Sequence, residues 1–438
     1  MALGSTAGLP TRAKSFGTWT LAHGIPRLGL HGAARRGDLI ARLTADPALR
    51  ADPYPVYEEL RARGPVASGR LVRASVDHAV CNAVLRSEDF GVGAGHPELP
   101  GPMQRLLGRL YDDRALTPID PPSLLAVDPP EHTRYRKLVA RAFTARRVAG
   151  MEKLITDVAA RLLDQLSDGR ASFDLVEEYA GLLPVAVIAE LLGVPEDEHE
   201  LLLALGNRAA ITLDPGLSWA QFRDADGAIR DLHRWFEQHV SRLRRDPGED
   251  LLSSLATLPD DQVSEIELRA TGLLVLGAGF ETTVNLIGNA VVLLDRHRDQ
   301  LEALQDAPDG YANAVEEVLR FDSPVQLTMR MALRETEVGG HRFSPGEGIL
   351  TILGGANRDP QVFRDPAGFD VSRDDADQHL AFSAGVHFCL GASLARLEAR
   401  VALRLLYERF PGLRVSGAPV RRGTRVLRGY ESVPVTSR

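Results

Sequence analysis

The stretch Phe382-Ser383-Ala384-Gly385-Val386-His387-Phe388-Cys389-Leu390-Gly391 contains one of only two cysteines in this 438-residue chain. Apolar residues follow it at spacings of three and four, which predicts a helix that begins just after the cysteine; they are Leu394, Leu397, Val401 and Leu405. A lone cysteine is more often an inert buried thiol. At a helix start, however, unpaired backbone N–H groups and the helix dipole favour the thiolate. Gly385 and Gly391 would let the backbone approach a bulky flat group, and His387 adds a donor.

The ten residues resemble the haem-binding loop of the cytochrome P450 family, whose pattern is Phe-x-x-Gly-x-His/Arg-x-Cys-x-Gly. Every fixed position is met, and the matching residues are Phe382, Gly385, His387, Cys389 and Gly391. The chain departs from the family at Ser383, where the family commonly has Gly. The resemblance implies that the loop binds haem b (iron protoporphyrin IX) and that Cys389 is the axial thiolate ligand of the iron, which favours O–O cleavage.

The composition excludes several other classes of protein. The chain has 51 Lys and Arg against 59 Asp and Glu, a formal net charge of −8, so we expect no nucleic-acid partner. Cys81 and Cys389 give no disulfide framework and suit a reducing cytosol. We find no signal-peptide core and no run of about 18 apolar residues. We therefore expect a cytoplasmic protein without a transmembrane anchor.

Helical periodicity dominates the chain, and the segments that show it best are Met151–Leu166, Leu175–Leu192, Ala220–Arg245 and Ser264–Arg296. Pro184 predicts a kink or break in the second segment, and Ser264 with Glu267 forms a capping box at the start of the fourth. Strand-like patterns come late, and they are Glu337–Phe343, Gly348–Leu353, Leu413–Val415 and Val426–Leu427, the first two flanking a turn at Pro345-Gly346. No linker is evident, which indicates one large, mainly α domain with minor β structure.

The fourth helical segment has an unusual centre, Gly277-Ala278-Gly279-Phe280-Glu281-Thr282-Thr283. Each glycine there costs roughly 1 kcal/mol relative to Ala, and hydroxyl residues tend to bend helices. From the residues alone, a tight helix crossing and a functional site are equally good interpretations. The segment also resembles the oxygen-binding groove of cytochromes P450, Ala/Gly-Gly-x-Asp/Glu-Thr-Thr.

That resemblance implies a role for four residues of the helix. Ala278 and Gly279 would leave room for dioxygen beside the iron, while Thr282 would hydrogen-bond the oxygen bound there. Glu281 would relay protons from solvent, because heterolytic O–O cleavage must deliver two protons to the distal oxygen. Burial near the apolar interior should raise the pKa of Glu281 and suit it to this transfer.

The haem propionates need fixed cations, and the family motifs match four candidates in this chain. His132 and Arg136 are four residues apart and should share one helix face. Arg330 matches the family arginine in the strand that follows the Glu-x-x-Arg helix, and His387 belongs to the cysteine loop. Taken singly, each of these residues would more often be a surface charge.

The sequence Glu317-Val-Leu-Arg320 matches the Glu-x-x-Arg motif itself, with Arg373 as the expected third member of an ionic triad. We assign this triad to folding and support of the haem pocket.

A second cationic feature lies on the surface. Six cations and no acid occur between His132 and Met151, and a further basic helix face follows Cys389; the residues are Arg134, Arg136, Lys137, Arg141, Arg146, Arg147, Arg396, Arg400 and Arg404. On an acidic chain they indicate either a docking face for an acidic electron donor or plainly solvated helices.

We therefore expect a single-domain cytochrome P450 fold, a helix-rich prism with small β-sheets and the haem between the long central helix and the Cys-loop helix. Residues 1–47 are expected to form an N-terminal extension and residues 48–438 the catalytic domain. The expected activity is monooxygenation of an apolar small molecule by O2, with electrons from NAD(P)H through a reductase and ferredoxin. The alternatives are an H2O2-using peroxygenase, a non-catalytic haem-thiolate binder or sensor, and a haem-free helical scaffold.

The sequence does not select a substrate. The pocket of this family is lined by its variable loops, here expected at Phe90–Ile119 and about Leu205–Gln221. Their side chains are compatible with steroids, polyketides, terpenoids, fatty acyl chains or xenobiotics.

Overall fold

The computed structural model of the chain describes residues 11–92, 110, 112–167, 171–259 and 261–437. Helices form most of this structure, which confirms the expected fold class. In chain order the α-helices are α1 (Thr11–Trp19), α2 (Ile25–Arg35), α3 (Leu39–Ala45), α4 (Pro47–Ala51), α5 (Tyr54–Arg61), α6 (His78–Arg86), α7 (Glu131–Ala140), α8 (Ala145–Gly150), α9 (Glu152–Ser167), α10 (Leu182–Leu191), α11 (His199–Ala209), α12 (Trp219–Arg245), α13 (Leu251–Ala256), α14 (Glu265–Arg296), α15 (Arg298–Asp306), α16 (Tyr311–Phe321), α17 (Leu353–Ala356) and α18 (Ala392–Arg409).

The strands are short and belong to small sheets. They are β1 (Ala67–Ser68), β2 (Arg73–Ser75), β3 (Phe90–Gly91), β4 (Ser172–Asp174), β5 (Thr328–Ala332), β6 (Thr336–Val338), β7 (His341–Phe343), β8 (Gly348–Thr351), β9 (Arg414–Val415), β10 (Val420–Arg421), β11 (Tyr430–Ser432) and β12 (Pro434–Thr436). The largest sheet has the order β1-β2-β8-β5-β3, with β2 and β8 parallel. The others are β4-β12-β9, β10-β11 and β6-β7.

Helix α14 is the centre of the fold. Its predicted capping box is present, because Ser264 and Glu267 each accept a hydrogen bond from the other's backbone N–H. Helices α10, α11, α12, α16 and α18 pack around it. By length and composition α14 could cross a membrane, but 67% of its most apolar window is buried inside the protein. Burial on all sides explains why it lacks a polar face.

The predicted helices are confirmed in position, with one difference. The segment Leu175–Leu192 changes at Gly181 from a π-helical turn over Val176–Ala180 to α10, and the backbone of Gly181 stays in the right-handed helical region. Pro184 lies in the first turn of α10, three residues after this change. The predicted kink or break therefore takes the form of a change of helix type ahead of the proline, which cannot donate a backbone hydrogen bond.

Two strand predictions are wrong. Glu337–Phe343 is not one strand, because β6 and β7 pair as a hairpin through Gly339 and Gly340, both at positive φ. Two adjacent glycines meet the requirement of a tight hairpin turn, so this signal was present in the sequence. Val426–Leu427 forms no strand in the described chain; Leu427 makes only an isolated bridge with Val325.

The expected ionic triad is present; Glu317 and Arg320 are fully buried and Arg373 is nearly so. Arg320 Nε lies 2.6 Å from Glu317 Oε2, and Arg373 Nε lies 3.3 Å from the same oxygen. Arg320 also donates to the backbone carbonyls of Pro366 and Gly368. A buried ion pair is tolerated only when such further bonds satisfy its charges. The triad therefore ties α16 to the segment that leads into the cysteine loop.

The N-terminal segment packs on the start of α12 and the loop before it. Trp19 Nε1 donates to the carbonyl of Leu217 at 3.0 Å, and Arg27 Nη1 donates to that of Gly216 at 2.9 Å. The rings of Phe16 and Trp19 contact Trp219 at centroid distances of 5.3 and 5.6 Å. These contacts cover part of the predicted pocket segment Leu205–Gln221. Most of the other predicted segment, Phe90–Ile119, lies outside the described residues.

Candidate functional site

The cysteine loop is a tight turn ahead of α18. The N–H of Cys389 donates to the carbonyl of Phe382 at 2.9 Å, which closes the loop. Gly385 has φ 66°, and a side chain there would collide with the backbone of Leu85 on α6. Gly391 is the N-cap of α18 with φ −86°, so positive φ is required at the first glycine and not at the second. The predicted helix after Cys389 is confirmed.

Ser383 adopts the conformation for which the family commonly has Gly. Its φ is 62°, and its buried hydroxyl has no hydrogen-bond partner within the described chain. The left-handed region costs a non-glycine residue roughly 1–2 kcal/mol. The turn therefore forms with Ser383 in place of glycine, and the other contacts of the loop have to offset this cost.

Cys389 is accessible to solvent, although protein surrounds it on most sides. Burial raises the pKa of the Cys389 thiol, whereas the N–H of Gly391 and the charges of Arg136 and Arg396 lower it to a smaller extent. The donor at the helix start thus favours the thiolate, as expected, but burial outweighs it and the net shift of the pKa is upward. A coordinated metal would deprotonate the thiol outright.

The four predicted propionate-binding residues come together from three elements. His132 and Arg136 lie on α7, Arg330 lies on β5, and His387 lies on the cysteine loop. The rings of His132 and His387 are 4.4 Å apart, and the charge of Arg330 acts on both histidines. Arg136 Nη1 lies 3.3 Å from the carbonyl of Val386 in the cysteine loop.

Asp128 is a member of this cluster that the sequence analysis missed. Its carboxylate lies 3.6 Å from His387 Nε2 and accepts the N–H of Val92. Its backbone carbonyl accepts the N–H of His132 at the start of α7. The available signal was its place in Asp-Pro-Pro-Glu-His, one turn before His132.

Burial determines the protonation of the cluster. It lowers the pKa of His387 to about 4, aided by the nearby charge of Arg330. Burial also lowers the pKa of Arg330 to about 10, which leaves the guanidinium charged at neutral pH. The cluster thus holds neutral histidines beside the fixed cations Arg136 and Arg330.

The central segment of α14 presents its polar residues in two directions. Ala278 is exposed, and the half-buried Thr282 donates its hydroxyl to the carbonyl of Ala278 at 3.0 Å. Glu281 is buried, and its Oε1 lies 3.0 Å from Nη1 of Arg422. As expected, burial raises the pKa of Glu281, while Arg422 lowers it to a smaller extent. Arg422 is a second residue that the sequence analysis missed.

Gly279 lies at a close helix crossing. A Cβ at this position would lie 2.5 Å from Cδ1 of Ile188 on α10. At Gly277, by contrast, a Cβ would meet nothing within 4 Å. A tight helix crossing therefore explains why position 279 is glycine. It does not explain the glycine at position 277.

Comparisons with known proteins agree with this geometry. The family model for cytochrome P450 matches residues 204–413. Cytochrome P450 140 of Mycobacterium tuberculosis is 46% identical over 423 residues, or 95% of this chain and 96% of that protein. Vitamin D(3) 25-hydroxylase of Pseudonocardia autotrophica is 39% identical over 394 residues, or 88% and 94%. The crystal structure of ligand-free Mycobacterium smegmatis CYP164A2 matches with a TM-score of 0.81 and 37% identity, covering 91% of this chain and 99% of that one.

The chain belongs to the cytochrome P450 family. It is a cytochrome P450 monooxygenase, since relatives over most of its length are hydroxylases and monooxygenases, and the cofactor of this family is haem b.

The residues at the cysteine loop fit that cofactor. Val386 and Phe388, on either side of His387, expose 49% and 42% of their surface, which a large apolar ring would cover. His387 Nε2 is buried without a hydrogen-bond partner in the described chain, and the fixed guanidinium groups match carboxylates.

We predict that Gly277→Ala and Gly279→Ala change stability in opposite directions. Gly277→Ala should stabilise by about 1 kcal/mol through helix propensity alone. Gly279→Ala should destabilise by about 1 kcal/mol, because overpacking against Ile188 exceeds the same gain. Urea unfolding of the two haem-loaded variants measures the difference, and equal stabilisation of both would contradict the close crossing.

Proposed function

We propose that this monooxygenase inserts one oxygen atom of O2 into a C–H or C=C bond of an apolar small molecule. The proposed electron source is NAD(P)H, through a reductase and a ferredoxin. The observation that carries the proposal is the acid–hydroxyl pair Glu281-Thr282 in the middle of α14, since O–O cleavage consumes protons. Cleavage of dioxygen is the chemistry that the haem supplies when bound.

Cys389 is the proposed iron ligand, and Phe382 and Gly391 belong to the proposed haem-binding loop. The accessible sulfur, on the same loop as the exposed apolar residues Val386 and Phe388, supports this assignment. For the propionates we propose four residues, His132, Arg136, Arg330 and His387. Their convergence from α7, β5 and the cysteine loop supports the assignment, because the half-buried Arg136, the buried Arg330 and a buried ring N–H can bind carboxylates strongly.

Proton delivery is proposed for Thr282 and Glu281. The Thr282 hydroxyl now donates to Ala278, one turn earlier, and can turn towards a guest beside the exposed face of Ala278. The raised pKa of Glu281 suits it to hold a proton and pass it on. Ala278 is proposed to leave room for dioxygen through its small side chain. The same role is proposed for the backbone of Gly279, because Ile188 already occupies the space that a side chain would take there.

A peroxygenase brings its protons with H2O2, and a pure binder or sensor needs no proton relay. The acid–threonine pair therefore favours the monooxygenase over both alternatives. One experiment separates the three activities. A monooxygenase turns over with NADPH and surrogate redox partners, a peroxygenase turns over with H2O2, and a binder or sensor shows binding alone.

An apolar substrate is proposed because one relative is named for the hydroxylation of vitamin D(3). Screening a compound library for a shift of the haem Soret band would identify the substrate class. The division at residues 47 and 48 and the cytoplasmic location also remain our proposals.

The electron donor is proposed to dock on α7 and α8. Lys137 on α7, Arg141 in the turn between the two helices, and Arg146 and Arg147 on α8 are exposed and make no ion pair with the part of the chain that the structure describes. The basic face of α18 is largely neutralised: Arg396 pairs with Glu316 at 2.6 Å and Arg400 with Glu152 at 2.9 Å. The net positive surface is therefore smaller than the sequence indicates, and its centre lies on α7 and α8.

Replacement of Cys389 by Ser should abolish the reduced carbon-monoxide band at about 450 nm that thiolate ligation gives in this family. Cys81→Ser is the matched control, because Cys81 is buried on α6 and donates to the carbonyl of Ser75. Spectra of both reduced variants with carbon monoxide provide the measurement. A band that persists in Cys389→Ser would remove Cys389 as the ligand.

In Thr282→Ala, haem and substrate binding should be retained while NADPH consumption becomes uncoupled from product, with H2O2 released in its place. The reason is the loss of the hydroxyl proposed to deliver the proton. Product formed per NADPH consumed gives the coupling, with the compound selected by the Soret screen as substrate. Fully coupled turnover would contradict the proposed role.

Charge reversal of Arg141 should slow reduction by ferredoxin by about fivefold at low salt and leave substrate binding unchanged. Arg404→Glu should have a smaller effect, since Glu408 already lies 3.9 Å from Arg404. Arg223→Glu, at an exposed position on α12, controls for net charge. Stopped-flow reduction rates decide the question, and equal rates for Arg141→Glu and Arg223→Glu would exclude this docking face.

A further inference from the structure

A buried polar cluster lies where the hairpin of β10 and β11 covers α14. Glu281 and Asn285 are one turn apart on α14, and Arg422 directly follows β10. The guanidinium of Arg422 reaches the Glu281 carboxylate at 3.0 Å, and the two side chains are only 10% and 3% exposed. Gly429, just before β11, has no side chain, and a Cβ there would collide with Asn285. The hairpin backbone can therefore lie directly on the amide of Asn285.

This cluster leaves an unusual number of its polar atoms unpaired. Both carboxylate oxygens of Glu281, both amide atoms of Asn285 and Nε of Arg422 make no hydrogen bond to the described residues. The Arg422–Glu281 contact is therefore an ion pair without hydrogen-bond geometry. An unsatisfied buried polar group costs roughly 1–3 kcal/mol. Five such atoms side by side have the chemistry of a water-binding pocket, since buried water binds where several polar groups converge.

Arg422 also links this pocket to the surface. While Nη1 contacts Glu281, Nη2 lies 3.5 Å from Oδ1 of Asn207, an exposed residue on α11. The guanidinium thus extends from the buried carboxylate to an edge that solvent reaches. The neighbouring Arg421 faces elsewhere: it contacts Asp322 at 2.9 Å and lies over the ring of Tyr430. Two consecutive arginines therefore serve two different buried acids.

We propose that Glu281, Asn285 and Arg422 form a water-binding pocket through which Glu281 regains its proton from solvent, with Arg422 as the positioning residue. The inference rests on the proposed relay role of Glu281 and Thr282. In each cycle the carboxyl gives one proton towards Thr282, and a proton from bulk water replaces it, so the pocket ends unchanged. Asn285 orients the water between the carboxylate and the guanidinium.

The charge of Arg422 has a measurable effect on Glu281. Burial raises the pKa of Glu281, and Arg422 is the charged group that opposes this rise. The amide of Asn285, on the same helix, lowers the pKa to a smaller extent. Removal of the cation should therefore leave Glu281 protonated to a higher pH, whereas a lysine at the same position should restore most of the wild-type titration.

The test uses the haem-loaded full chain and needs no substrate. Infrared titration follows the carboxyl C=O stretch of Glu281, identified by its loss in Glu281→Gln. We expect Arg422→Gln to move the midpoint up by about one pH unit or more, Arg422→Lys to reverse most of the shift, and Arg421→Gln to leave it unchanged. An unchanged midpoint in a folded Arg422→Gln protein would overturn the positioning role.

Access of water is tested by transferring the same proteins at acidic pH into D2O. The Glu281 band should exchange within the mixing time in the wild type and at least about tenfold more slowly in Asn285→Val, whose side chain cannot bind water. Equal exchange rates would overturn the pocket. The two proposals can fail separately. If NADPH consumption stays fully coupled to product in Thr282→Ala while the titration midpoint shifts in Arg422→Gln, the relay alone is rejected. If Thr282→Ala is uncoupled while the midpoint in Arg422→Gln does not move, the positioning role alone is rejected.

Discussion

The burial of α14 is the constraint on which the rest of the structure depends. A helix enclosed by other helices must find a partner for every polar group it carries or present that group to a functional site. Asn289 meets this requirement by donating to the carbonyls of Asp322 and Arg428, and Glu281 meets it in part through Arg422. The segment from β10 to β11 thus packs along α14, because its polar groups are partners for those of the helix. The half-buried Thr282 bonds only to the carbonyl of Ala278, one turn earlier on the same helix.

Features encoded by residues close in sequence could be predicted, and those that join distant segments could not. The capping box of Ser264 and Glu267, the Glu317–Arg320 pair and the helix after Cys389 all depend on spacings of a few residues, and all are confirmed. The partner of Glu281 lies far along the chain, in a loop without a motif. Asp128 was missed because an acid was not expected among cations. The hairpin at Gly339-Gly340 was a signal that the prediction overlooked, since the alternation of its strands was given more weight.

The cationic residues show why charge in a sequence differs from charge on a surface. Arg396 and Arg400 on α18 pair with Glu316 and Glu152, so their role is to join helices. Near the cysteine loop, burial determines which side chains carry a charge, because it keeps His387 neutral while Arg330 stays charged. On α7, on α8 and in the turn between them, Lys137, Arg141, Arg146 and Arg147 are exposed and make no ion pair with the described residues. The same acidic chain thus uses arginine for packing, for a binding site and for its surface.

The contact between the N-terminal segment and the start of α12 also has a consequence for biosynthesis. Trp19 bonds to Leu217, a separation of 198 residues, so the first helices leave the ribosome well before their partner exists. At about 5–20 residues per second the delay is roughly 10–40 s. During that time the aromatic side chains of Phe16 and Trp19 are open to other apolar surfaces. The contacts of Phe16 and Trp19 with this loop can form only after Leu217 and Trp219 have been translated.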